Sequence, residues 1–151
     1  MRYHLAQLNI ARLAESLDHP SMAEFVALLE PVNAAADDSP GFVWRLQTDE
    51  GNATSIRAFD GEAMLVNLSV WESLEALYAF TYRGDHLGPL RRRREWFKPM
   101  GSASVVLWWV PAGHTPTIEE ARRRLEHLTE HGPTPEAFTF RHSFEQPKTA
   151  Q

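Results

Sequence analysis

The sequence predicts an α+β domain, an antiparallel sheet with helices packed on one face. Three observations predict it. Four stretches, 3–10, 42–47, 64–70 and 103–110, alternate with the two-residue period of strands. Stretches with apolar residues three and four apart lie between them, as amphipathic helices require. The order of the two kinds is β-α-β-β-α-(α)-β-α-β, and its first βαββαβ is the ferredoxin-like plan.

The first strand, Tyr3 to Ile10, puts His4, Ala6, Leu8 and Ile10 on one side and Tyr3, Leu5, Gln7 and Asn9 on the other. Ser21 and Glu24 have capping-box spacing and open a helix after Pro20. Its stripe is Met22, Phe25, Val26, Leu29 and Val32. Pro31 removes a backbone donor within it, and Ser39-Pro40-Gly41 stops it. The second strand, Phe42 to Gln47, places Phe42, Trp44 and Leu46 on one side. Thr54 to Phe59 reads as a short extra strand before the Asp60-Gly61 turn. The third strand, Met64 to Val70, turns Met64, Val66, Leu68 and Val70 one way. A helix follows from Glu72 to Tyr82, then another from His86 to Phe97. The fourth strand, Ala103 to Val110, is apolar on both sides. Thr117 with Glu120 forms a second capping box, opening a helix to His131 that Gly132-Pro133 ends. A last strand is expected at Ala137 to Phe144. Residues 1–144 therefore read as one domain and 145–151 as a polar tail.

Tyr3, Leu5, Val43, Leu65, Trp71, Val105, Leu107 and Trp109 form the side of the sheet that the ferredoxin plan leaves bare. They are too apolar to face water, and a second copy of the same sheet is the simplest cover, which predicts a homodimer. The absence of cysteine excludes disulfides, thiolate metal sites and cysteine nucleophiles. A net charge of −5 argues against nucleic acid as a partner. No apolar run is long enough to cross a membrane, and the first residues lack the apolar core of a signal peptide, so a cytoplasmic location is expected. Phosphate-loop, dinucleotide, nucleophile-elbow and zinc-protease motifs are all missing.

Five stretches carry a resemblance. They are His4-Leu5-Ala6-Gln7-Leu8-Asn9, Gly41-Phe42-Val43-Trp44-Arg45-Leu46, Asn67-Leu68-Ser69-Val70-Trp71-Glu72-Ser73, His86 through the arginines to Glu95-Trp96-Phe97, and Leu107-Trp108-Trp109-Val110-Pro111-Ala112-Gly113-His114. Together they resemble the DUF3291 family, placed beside the antibiotic-biosynthesis-monooxygenase-like proteins in the dimeric α/β-barrel superfamily. The resemblance implies a ferredoxin-like protomer, a dimer formed back to back, and a small-molecule site between sheet and helices. It implies a monooxygenase-like oxidoreductase that uses either no cofactor at all or a haem. A non-redox cyclase or dehydratase, or a binding protein without catalysis, fits the same fold.

On this reading His4, Trp44, Leu46, Val66, Leu68, Val106 and Trp108 line the helix-facing side of the sheet, under a roof of Tyr82, His86, Leu90, Trp96 and Phe97. His86 is the first candidate for a general base, or for the haem ligand, and His4 the second. Trp44, Trp96 and Trp108 would hold a flat substrate, with Tyr82 and Arg45 at its polar groups. The competing reading makes each tryptophan core and each histidine a satisfied or solvated side chain. His142 ranks lower as a site residue, and His19, His114, His127 and His131 read as solvated. Arg91 to Arg94 point around more than one helix face and read as a solvated run.

Overall fold

Alternation of apolar residues places β1 (Tyr3–Leu13) at the centre of the sheet, antiparallel to β3 (Met64–Trp71) on one side and β5 (Val105–Pro111) on the other. This computed structural model describes residues 2–13, 20–24, 27, 34–46, 64–83, 97–98 and 105–147. β2 (Phe42–Arg45) pairs with β3, and the two-residue β4 (Phe97–Lys98) pairs with the end of β1 at Arg12 and Leu13. The order β2-β3-β1-β5 is that of the ferredoxin-like fold. Phe97 is therefore in a strand, not at the end of a helix. The strand expected at 54–59 and the rest of the helix expected at 86–97 lie outside the described residues.

Among the described residues two long helices pack on this sheet. In α1 (Leu74–Arg83), Ser73 Oγ accepts the Ala76 N–H at 3.1 Å and caps the first turn. In α2 (Ile118–His131), Thr117 Oγ1 accepts the Glu120 N–H at 3.0 Å. Gly132, at φ +73°, ends the helix by donating its N–H to Leu128 O. Both ends of α2 are those the sequence predicts.

The core has two layers, one on each side of the sheet. Ala6, Leu8, Ile10, Val66, Leu68, Val70, Val106, Trp108 and Val110 pack against Ala121, Leu125 and Leu128 of α2. Leu5, Trp71 and Leu107, on the other side, pack against Leu77 of α1, Ala36 and Phe138. The side expected to face the first helices is thus the side that α2 covers. Ala36 and α1, the described helical parts of the ferredoxin unit, share the opposite side. Both sides are similarly apolar, so alternation by itself does not say which helices take which.

The expectation of a bare sheet face awaiting a second chain is corrected by the same packing. Leu5, Trp71 and Leu107 are buried within one chain. Phe138 and Leu107 exchange backbone hydrogen bonds of 2.8 and 2.9 Å beside β5, and the Trp109 indole donates to Phe144 O at 2.9 Å. The segment after α2 makes this isolated bridge rather than the full strand expected at 137–144. A register shift between Phe42 and Trp44 is a second correction. It turns Phe42 toward the α1 layer and Trp44 toward the α2 layer, although strict alternation puts both on one side.

Candidate functional site

The α1 side of the sheet holds a buried chain of neutral polar groups. Trp71 Nε1 donates to Ser69 Oγ at 2.9 Å, Ser69 Oγ donates to Gln7 Oε1 at 3.0 Å, and Gln7 Nε2 donates to Asn67 O at 3.2 Å. Two pairings place these residues together: β1 and β3 match Gln7 with Ser69, and Leu5 with Trp71. Gln7 and Ser69 are the buried polar residues among those described, and they sit in an otherwise apolar layer. Aromatic rings surround the chain. Phe42 meets Trp71 edge to face at 5.3 Å, and Phe80 stacks on Trp71 at 5.2 Å. A buried amide, hydroxyl and indole cost free energy unless each finds a partner, and this chain satisfies them mutually.

The chain retains hydrogen-bonding capacity. A serine hydroxyl has two lone pairs, of which the indole takes one; a glutamine amide has two N–H groups, of which Asn67 O takes one. Among the described residues one lone pair of Ser69 Oγ and one N–H of Gln7 Nε2 have no hydrogen-bond partner. Gln7 and Ser69 belong to the family-like stretches, but their chemistry was not read from them. The usable signal is two polar residues on the same side of adjacent strands, next to Leu5 and Trp71.

Of the predicted site residues, His4, Trp44 and Trp108 share the α2 side of the sheet. His4 lies on the α2 side, opposite Val110, and among the described residues its buried Nδ1 has no hydrogen-bond partner. Trp44 is half-buried against the α2 layer. Trp108 is fully buried there, and its indole donates to Glu120 Oε2 at 2.9 Å, so it is core rather than a wall open to a ligand. Arg45 pairs with Asp37, at 2.7 Å from Nε and 3.2 Å from Nη2, and ties β2 to the helical residues 34–37. Tyr82 ends in the last turn of α1 with its side chain outside the described set. His86 and Trp96 lie outside the described residues, and with His86 goes the residue on which haem would depend. Among the described residues no group of three histidines or carboxylates is placed to hold a metal. His114, read as solvated, is half-exposed and contacts Glu120 Oε1 at 2.7 Å.

A family described as a domain of unknown function, DUF3291, matches residues 4–151. No curated protein matches the chain. Among solved structures the chain is similar to SnoaB, a cofactor-independent oxygenase from Streptomyces nogalater. The identity is 18% and the TM-score 0.48, over 74% of this chain and 95% of that one.

Proposed function

The chain belongs to the DUF3291 family, and we propose that it is a monooxygenase-like oxidoreductase that binds an electron-rich aromatic molecule on the α1 side of its sheet. What supports the reading is the Trp71–Ser69–Gln7 chain, neutral and held rigidly among aromatic rings. Groups oriented in advance can hold a phenol or ketone oxygen without reorganising. Ionising that phenol needs a base. On this reading the base is His86, which the family-like stretch contributes.

The anion then reduces O₂. One oxygen atom enters an activated methylene carbon as a carbonyl. The other leaves as water with the two hydrogens of that carbon, so the substrate supplies all four electrons and no outside reductant is needed.

The test is oxygen uptake with a phenolic ketone bearing an activated methylene. Ser69→Ala releases the Gln7 amide, whose second N–H is the preorganised donor, and is expected to lower kcat/KM by about 10- to 100-fold, while circular dichroism shows a folded chain. Unchanged oxygen uptake in the variant overturns the site. Turnover that persists without oxygen points to a cyclase or dehydratase, and binding without turnover points to a binding protein. The unpartnered Nδ1 of His4 favours a second reading, with His4 as the base on the α2 side. Loss of turnover in His4→Gln with Ser69→Ala unaffected would select it. A homodimer belongs to the first reading, formed through surfaces other than the covered sheet. Sedimentation equilibrium is expected to give twice the chain mass.

A further inference from the structure

We propose that the groove along the outer side of α2 binds a compact oxyanion, a phosphate or carboxylate group, through Arg123 and Arg124. This site is on the far side of the sheet from the Trp71–Ser69–Gln7 chain and is independent of it.

Helical spacing puts Glu120, Arg123, Arg124 and His127 on one stripe of α2. With Glu136 they line a groove of about 300 Å³. That is a volume suited to a small molecule. The opposite wall is the turn from Thr134 to Ala137, closed by Thr134 N–H to Ala137 O at 2.8 Å and Ala137 N–H to Thr134 O at 3.0 Å.

Five charged or titratable side chains meet here, two of them carboxylates. Glu120 has committed partners, and Glu136 faces His127. Glu120 stands at the capping-box position of α2, three residues after Thr117. Its oxygens go elsewhere: Oε2 accepts from the buried Trp108 indole at 2.9 Å and Oε1 lies 2.7 Å from His114 Nε2. Glu136 Oε2 lies 3.4 Å from His127 Nε2, which also contacts Thr134 Oγ1 at 3.1 Å.

The guanidinium groups are not matched in this way. Arg124 Nη1 donates to Glu136 O, a neutral carbonyl, at 2.9 Å. Among the described residues neither Arg123 nor Arg124 has a carboxylate partner, whereas Arg45 has Asp37. The contact to Glu136 O fixes the Arg124 fork and leaves its other donors for a ligand. Guanidinium forks stay charged at any working pH and match phosphate and carboxylate oxygens in pairs. Among the described residues the groove thus offers two guanidinium groups without a carboxylate partner, beside two carboxylates whose oxygens face other groups.

The experiment is a titration of the full chain with inorganic phosphate, and separately with succinate, at constant ionic strength. It is followed by nuclear magnetic resonance of the Arg123 and Arg124 Nε groups and the His127 ring. Saturable shifts at these residues are expected with at least one of the two anions, and the arm that saturates identifies the group. The Kd is expected to rise about 10-fold or more in Arg124→Gln, the scale of one charge-assisted contact. These side chains are on the surface, and circular dichroism checks that the variant folds. Shifts reproduced by sodium chloride, absence of saturation with both anions, or an unchanged Kd in the Arg123→Gln/Arg124→Gln double variant would each overturn the proposal.

Discussion

Phe138→Ala is expected to lower the unfolding free energy by about 3–5 kcal/mol, the range for emptying a buried phenylalanine site. Phe138 is fully buried and stands at the centre of the cover that the last segment lays over the sheet. Its ring lies 5.8 Å from that of Phe144, edge to face, and 6.5 Å from that of Trp109. Its backbone completes the outer edge of β5 through Leu107. Truncation leaves a cavity beside Leu5 and Leu107 and weakens the seat of Phe144. The measurement is urea unfolding followed by circular dichroism, with Phe140→Ala as the comparison because Phe140 is only half-buried. A loss below about 1 kcal/mol, the size of an ordinary surface change, would show that this segment does not cover the sheet. The case for a second chain on that face would then return.

Gly41→Ala is expected to cost about 2–4 kcal/mol, from two separate sources. Gly41 has φ +83°, a conformation that a side chain resists. A Cβ built there would also stand 2.5 Å from the Ala76 Cβ on α1, a distance that real Cβ atoms do not tolerate. The chain cannot easily move away, because Gly41 O accepts the Glu72 N–H at 2.7 Å and so ties the start of β2 to the end of β3. Gly41 thus sets how closely α1 approaches the sheet, and with it the position of Leu77 over Trp71. Combining the change with Ala76→Gly should relieve the clash but not the backbone strain. The double variant should therefore be more stable than the sum of the two single changes predicts. Strict additivity in urea unfolding would refute the contact.

The elements that were legible in the sequence are those governed by local chemistry. Thr117 and Gly132 bound α2 because a hydroxyl at the cap and a residue tolerant of positive φ are needed there whatever surrounds them. β1, β3 and β5 follow from alternation, and their order follows from the ferredoxin plan. Phe42 falls on the side opposite Trp44 because one bulge reverses parity and leaves no residue signature. Phe97 was assigned to a helix because an aromatic fits helical spacing and a strand equally well.

The site was less legible than the fold. Gln7 and Ser69 are 62 residues apart, and only the β1–β3 register brings them to 3.0 Å. Arg123 and Arg124 look like ordinary surface charge until the partners of Glu120 and Glu136 are known.

By itself the sequence determined the family, the succession of strands and helices, and the caps of α2. Each depends on neighbours a few positions away, within reach of periodicity and capping rules. Tertiary structure alone decided which helix takes which side of the sheet and what covers the remainder. Both sides of β1 are apolar enough to be buried. The choice between them is made by packing volume and backbone pairing across long separations, which no local pattern encodes.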